Sequence, residues 1–144
     1  KLGGWNMQLS LNQIEHEKLR TEFVEPRIHF AINCASVSCP PLAQTAYEDE
    51  RLEMDLTRAA RRVHDPASRW FHIDLQGLGA VPAKVTRIYL WYESDFPDLE
   101  QAIGRYYPPA RPAFEADRLL DVEYLPYDWS LNDQRSRPDR PFTE

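Results

Sequence analysis

Hydrophobic and polar positions recur along the chain with two different periods, which predict helices interspersed with short strands. Residues 50–63 carry Leu52, Leu56, Ala59 and Val63 at spacings typical of one face of an amphipathic helix. The same reasoning predicts further helices over residues 10–25, 82–96, 98–106 and 114–120, and strands over residues 5–9, 28–32, 70–75 and 122–125. This order of elements predicts an α+β (or α/β) fold, in which a small sheet packs against several helices.

Length and composition indicate one ordinary globular domain. The chain has 144 residues, of which 42% are hydrophobic and 28% are charged, and this is enough to bury a core without disulfide staples. We expect the domain to span residues 1–132. Residues 133–144 are rich in Arg, Pro and Asp, and we expect them to form a flexible C-terminal tail.

The charge of the chain narrows the classes of partner. The net charge is −6, and no basic block is longer than Arg61-Arg62, so nucleic acid and anionic membrane surfaces are poor candidates. No apolar run approaches the roughly 18 residues of a transmembrane helix. A small molecule or a peptide is the remaining kind of ligand that we expect.

The stretch from Pro26 to Pro41 concentrates the candidate chemistry. The apolar run over residues 28–32 has the length and side chains of a buried strand, and it leads into a polar loop that holds both cysteines of the chain, Cys34 and Cys39. A strand that delivers several reactive and polar side chains to one loop predicts a functional site. The candidates in this stretch are His29, Asn33, Cys34, Ser36, Ser38 and Cys39.

One hypothesis for this loop is thiol catalysis with Cys34 as the nucleophile. A cysteine needs a base or a positive group within hydrogen-bond reach to become a thiolate near neutral pH. In a continuous strand His29 and Cys34 point to opposite faces, about 16 Å apart, so His16 on the preceding helix is the first choice of base. If residues 35–38 turn back, Cys39 or Ser38 returns toward His29 or Asn33. Acyl transfer of the peptidase or amidase type is the usual chemistry of Cys, His and Asn together.

A second hypothesis is a structural disulfide between Cys34 and Cys39 in a non-enzymatic binding module. Closing so small a loop stabilises a protein by only about 2 kcal/mol, so the bond would serve to fix the loop and present Asn33, Ser36 and Ser38 to a ligand. A third reading is a zinc site made of His16, His29, Cys34 and Cys39, but the spacing matches no familiar zinc motif. We therefore predict neither a metal nor another cofactor.

Four segments of the chain resemble a known family. They are I-E-H-E-K-L-R (14–20), P-R-I-H-F-A-I-N-C-A-S-V-S-C-P-P (26–41), L-W-Y-E-S-D-F (90–96) and L-P-Y-D-W-S-L-N (125–132). In this order they are similar to the domain-of-unknown-function family numbered 547. The resemblance implies one coherent domain from about Trp5 to Asn132, without implying a reaction.

The resemblance also bears on compartment and on the extent of the domain. Bacterial members of that family often follow secretion signals, so we expect a periplasmic or secreted protein. Members usually carry an upstream block of the type F-W-I-N-x-Y-N, which is missing from this sequence. We therefore expect the chain to correspond to the C-terminal part of the usual domain.

Overall fold

A computed structural model describes residues 9–133. Its helices are α1 (Leu11–Gln13), α2 (Arg20–Glu22), α3 (Ile28–Ala31), α4 (Leu52–Val63), α5 (Ile88–Trp91), α6 (Leu99–Tyr106) and α7 (Arg111–Glu115), and its strands are β1 (Phe71–Ile73), β2 (Val81–Val85) and β3 (Leu120–Tyr124). A π-helical segment, Ile14–Leu19, joins α1 to α2, and 3-10 turns occupy Asp49–Arg51, Glu93–Asp95 and Pro108–Ala110. The predicted strand over residues 5–9 and the predicted tail over residues 133–144 lie, except for Leu9 and Asp133, outside the described residues.

The three strands form a small mixed sheet with β2 in the centre. β1 pairs with β2 in antiparallel register, Phe71 opposite Val85, and β3 pairs with β2 in parallel register, Val81 opposite Leu120. Alternate residues of β2 are buried, as a strand with one face on the core requires. A mixed sheet of this kind with helices around it confirms the predicted fold class.

The hydrophobic core lies between the sheet and the helices. Its most deeply buried side chains come from β1, β2, α3, α4 and α6, and include Phe71, Val85, Phe30, Val63 and Ile103. The predicted helix over residues 50–63 is confirmed, and its buried face is formed by Leu56, Ala60 and Val63. The helix over residues 98–106 is also confirmed as α6. The side chain of Asp98 caps it by accepting a hydrogen bond from the backbone N–H of Gln101.

The prediction of a strand over residues 28–32 is wrong, because this segment forms the one-turn helix α3. A short apolar run does not by itself distinguish a buried strand from a buried helix. The buried guanidinium of Arg27 anchors the start of α3. It pairs with Glu25 and with Glu53 of α4, and donates to Thr57 Oγ1 at 2.8 Å, and these bonds hold the start of α3 against α4.

The prediction of one long helix over residues 82–96 is also wrong. Pro82 lies in β2, where its side chain is exposed between buried neighbours, and the helical part is limited to α5 and the following 3-10 turn. The helix predicted over residues 114–120 begins and ends earlier, as α7. The chain turns at Asp117, whose φ of 54° lies in the left-handed region, and then enters β3.

Candidate functional site

The loop that follows α3, residues 32–41, is held in place by the segment from residue 125 to residue 132. Ser36 and Leu131 form an isolated antiparallel bridge, and the backbone N–H of Val37 donates to the carbonyl of Ser130 at 2.9 Å. This pairing is long-range in sequence, and it brings Tyr127 over the cysteines. We call residues 32–41 the cysteine loop.

A second set of hydrogen bonds fixes Ser38 at the far side of the cysteine loop. The indole N–H of Trp70 donates to the carbonyl of Ser38 at 2.8 Å. The hydroxyl of Ser38 accepts the backbone N–H of Asp128 at 2.9 Å. Ser38, which the sequence predicted as a ligand contact, is therefore used in the structure to join the loop to its neighbours.

Asn33 closes the cysteine loop from within. Its amide Nδ2 donates to the carbonyl of Pro40 at 2.6 Å, and its Oδ1 accepts the backbone N–H of Ala35 at 2.8 Å. Ala35 has a φ of 61°, a conformation that costs a residue with a Cβ about 1–3 kcal/mol. Asn33 thus supports a strained turn immediately after Cys34, and backbone strain of this kind is typical of functional loops.

The thiol of Cys34 is exposed and surrounded by hydrogen-bond partners. Its Sγ lies 3.2 Å from Ser36 Oγ and 3.4 Å from the hydroxyl of Tyr127. Ser36 Oγ donates to the Tyr127 hydroxyl at 2.9 Å, so the three groups form a closed triangle. The Tyr127 hydroxyl thus receives one hydrogen bond and has its own proton free to donate to the sulfur.

The thiol of Cys39 lies directly behind Cys34 and is buried, with 4% of the residue exposed. Its Sγ accepts the backbone N–H of Cys34 at 2.8 Å, and lies 3.7 Å from the carbonyl of Ile32. Both cysteines are free thiols in this structure, so the structure describes the reduced form of the loop.

The two thiols ionise very differently. Burial would raise the pKa of Cys34, but its contacts with the side chain and backbone of Ser36, with Tyr127 and with Cys39 outweigh burial and lower that pKa to about 7. Burial raises the pKa of Cys39 to about 12, helped by the nearby charge of Cys34. Burial and the contact with Cys34 also raise the pKa of Tyr127, which therefore keeps its proton at neutral pH. Near pH 7 about half of Cys34 is thiolate, while the Cys39 thiol and the Tyr127 hydroxyl beside it keep their protons.

His29 belongs to a different cluster. It is buried, its Nε2 lies 2.7 Å from Asp95 Oδ2, and its ring stacks on Tyr92 with centroids 3.8 Å apart. Asp95 also receives two hydrogen bonds from the guanidinium of Arg20, at 3.0 and 3.1 Å. Burial lowers the pKa of His29 despite the nearby carboxylate, while the bond from Arg20 lowers the pKa of Asp95 to about 2. At neutral pH this is a neutral imidazole next to an Arg–Asp ion pair.

His16 lies beside the same cluster. Its Nε2 is 4.0 Å from Glu15 Oε1, and Glu15 accepts a hydrogen bond from the hydroxyl of Tyr92 at 3.2 Å. The structure thus places His16 beside Glu15, at the edge of the cluster that holds His29, whereas the hydroxyl groups of Ser36 and Tyr127 contact Cys34. That His16 acts as a base for Cys34 stays a prediction.

Sequence reasoning missed Tyr127, which hydrogen-bonds both Cys34 and Ser36. A signal for it was present, since Tyr127 lies in the segment 125–132 that carries part of the family resemblance. Its ring packs against Trp91 and Trp129, with centroids 4.7 and 4.4 Å apart. These three rings form an aromatic cluster beside the thiol.

A groove of about 410 Å³ lies next to the end of the cysteine loop. It runs from Pro41 along α4 and holds the side chains of Arg51, Arg58, Arg62 and Asp55. The groove adds a charged surface near the loop.

Among residues 9–133 there is no group of three or more His, Cys, Asp or Glu side chains that could hold a metal ion. Within the same range, no helix is both long and apolar enough to cross a membrane.

The comparisons with known proteins agree with the resemblance seen in the sequence. Residues 2–62 match the model of a family described as Protein of unknown function, DUF547. This range includes the cysteine loop and most of α4, so the suspected family is confirmed over that part of the chain. The motif segments 90–96 and 125–132 lie outside the matched range. No curated protein and no solved structure matches the chain.

Proposed function

We propose that the protein is a thiol-dependent acyl-transfer hydrolase in which Cys34 is the nucleophile. The observation that carries this proposal is the exposed Cys34 thiol, held within hydrogen-bond reach of Ser36 and Tyr127. Hydrogen bonds to the charged form are one of the physical means by which a thiol becomes a thiolate near neutral pH. A rigid loop presents this thiolate to solvent.

The reaction follows from these groups. The Cys34 thiolate attacks a carbonyl carbon, a C–S bond forms, and the carbonyl π electrons move to oxygen. Collapse of this adduct restores the carbonyl, breaks the bond to the leaving group and leaves a thioester on Cys34. Water then attacks the thioester, releases the carboxylic acid and returns the thiol, so that the net reaction is hydrolysis.

The environment of Cys34 favours leaving groups that depart as anions. An amine has to be protonated as it leaves an amide, and this requires an acid with a pKa near the working pH. The hydroxyl groups in contact with Cys34 are those of Ser36 and Tyr127, both of which are weak acids, and the pKa of Tyr127 is raised further. Thioesters and activated esters release a thiolate or a stabilised alkoxide without such help, so we propose these as the substrate class in preference to peptides.

The test uses a thioester or a p-nitrophenyl ester as the substrate. The wild-type protein should release product with a burst, and its intact mass should show one acyl group, which peptide mapping should locate on Cys34. Cys34→Ser should lose the burst and the acyl adduct while keeping the circular dichroism spectrum of the wild type. His72→Gln, on the exposed side of β1, serves as a control that keeps full activity. Unchanged turnover by Cys34→Ser would contradict the proposal.

The binding module is the second candidate, and the groove beside Pro41 is the observation in its favour. In this groove Arg51 and Arg58 pair with Asp55, and Arg62 adds a further cation that suits a small molecule or a peptide with a carboxylate. The polar side chains of the loop itself, Asn33 and Ser38, are already hydrogen-bonded within the structure. Retained binding of a carboxylate ligand by Cys34→Ser, together with the absence of turnover by the wild type, would favour this candidate over catalysis.

A further inference from the structure

Cys39 is not the nucleophile of the proposed acyl transfer, yet the structure places its thiol beside Cys34. The backbone N–H of Cys34 donates to Cys39 Sγ at 2.8 Å. A disulfide needs its two sulfur atoms about 2.05 Å apart. Because Cys39 Sγ already lies against the backbone nitrogen of Cys34, rotation of the Cys34 side chain can bring its sulfur toward that of Cys39 within the loop that Asn33 closes.

The two thiols differ in access. Cys34 is exposed, whereas Cys39 is 4% exposed and is covered by the loop itself. An external molecule can therefore reach Cys34 first, and Cys39 is positioned to reach only Cys34. This is the division between an attacking and a resolving thiol in thiol–disulfide exchange.

We propose that Cys34 and Cys39 form a reversible dithiol–disulfide couple that reduces an accessible disulfide bond of another molecule. This inference rests on the proposed function in one respect, since both need Cys34 as the nucleophile. It adds disulfides to the electrophiles that Cys34 attacks, and it assigns Cys39 a role.

The exchange proceeds in two steps. The Cys34 thiolate attacks one sulfur of the disulfide R–S–S–R′, forms the mixed disulfide Cys34–S–S–R, and expels R′S⁻, which takes a proton from water. Cys39 then loses its proton to solvent and attacks Cys34 Sγ, which forms the Cys34–Cys39 bond and expels RS⁻. The protein loses two electrons and two protons, and the substrate disulfide gains them as two thiols. An external thiol reductant reverses the change.

The electrostatics of the site set the order of these steps. The negative charge of Cys34 is one of the causes that hold the pKa of Cys39 high. Once Cys34 is bound in the mixed disulfide, that charge is gone, so Cys39 ionises more readily when it is needed. The attacking thiol has a pKa of about 7, which is near the optimum for attack at neutral pH.

The test treats the reduced protein, freed of reductant, with 5,5′-dithiobis(2-nitrobenzoic acid) and records both the released thiolate and the intact mass. The wild type should release two equivalents per chain and become lighter by two hydrogen atoms, with no retained adduct. Cys39→Ser should release one equivalent and retain one adduct at Cys34. Cys34→Ser should react at least about tenfold more slowly, because only the buried thiol remains.

The outcomes separate the two proposals. A wild-type protein that retains an adduct on Cys34 and forms no internal bond would overturn the role of Cys39 while leaving Cys34 as a nucleophile. A wild-type protein that reacts as slowly as Cys34→Ser would overturn both proposals. The role of Cys39 is decided by the mass of the wild-type protein, so this test does not depend on how well a variant folds.

The source of the disulfide is tested with oxidised glutathione in one arm and insulin, a disulfide-bonded protein, in the other. Formation of the Cys34–Cys39 bond by either supports the proposal and names the source. Failure of both to oxidise the loop would overturn it.

Discussion

Removal of the Tyr127 hydroxyl is the sharpest test of how Cys34 is activated. In the variant Tyr127→Phe the ring still packs against Trp91 and Trp129, but the sulfur loses a donor at 3.4 Å. Ser36 remains beside the thiol, 3.2 Å away. The substitution also removes the hydrogen bond that Ser36 donates to Tyr127, so the thiolate itself loses one hydrogen bond while the aromatic ring stays in place.

The expected size of the effect follows from that one bond. A hydrogen bond to a charged group contributes about 1.5–3 kcal/mol, and the long distance to a sulfur acceptor places this one at the lower end. Since 1.36 kcal/mol corresponds to one pKa unit, the pKa of Cys34 should rise from about 7 by about one unit. At pH 7 the thiolate fraction then falls from about one half to about one tenth. A less acidic thiol gives a more nucleophilic thiolate, so the rate of alkylation at high pH, where all of Cys34 is ionised, should rise about threefold.

The measurement is the rate of alkylation by iodoacetamide as a function of pH, with mass spectrometry to confirm that Cys34 is the residue modified. The midpoint of the curve gives the pKa directly. Tyr107→Phe is a matched control, because that ring packs on Phe71 in the core, and it should leave the midpoint where it is in the wild type. An unchanged midpoint in Tyr127→Phe would refute the reasoning.

Two further predictions concern the stability of the fold. Asn33→Ala removes both hydrogen bonds that close the cysteine loop and should lower the free energy of unfolding, measured in urea, by about 1–3 kcal/mol. Asn33→Asp keeps the acceptor and should lower the free energy of unfolding by less. Burial lowers the pKa of His64 from 6.5 to about 4 against an opposing hydrogen bond to Ala60, so the folded state favours the neutral ring. The stability that the neutral ring provides is fully present above pH 6.5 and is lost as pH falls toward 4, in total about 3 kcal/mol. In urea unfolding at several pH values, His64→Gln should have a lower free energy of unfolding that depends less on pH. An equally steep pH dependence in this variant would contradict the assignment.

Much of the fold could be predicted because it depends on local patterns. The periodicity of residues 50–63 and the cap at Asp98 each specify a helix without help from distant residues, and both helices are present. The wrong predictions concern segments whose structure depends on contacts with residues that are distant in the sequence. Residues 28–31 form a helical turn whose start is tied to α4 through Arg27, and Pro82 is in a strand because residues 81–85 pair on both sides with β1 and β3.

The same distinction explains the candidate site. The sequence predicted the cysteine loop as the place of interest, because Cys34, Cys39 and Asn33 lie within seven residues of one another. It did not predict the contact between Cys34 and Tyr127, which are 93 residues apart. That contact depends on the pairing of Ser36 with Leu131, a long-range register that one sequence does not reveal.

The hydrogen-bond partners of the thiol lead to a last prediction about the pH profile. Cys34 bonds the hydroxyl groups of Ser36 and Tyr127, whereas His29 bonds Asp95 and stacks on Tyr92. A thiolate–imidazolium pair would give a profile with two limbs, one of them near the usual pKa of histidine, about 6.5. A thiol activated by hydroxyl groups ionises alone, so alkylation of Cys34 should follow a single rising curve with its midpoint at about pH 7. His16→Gln should reproduce that curve. A second limb in the wild type that disappears in His16→Gln would show that His16 reaches the thiol after all, and that the hydroxyl groups are not sufficient to activate it.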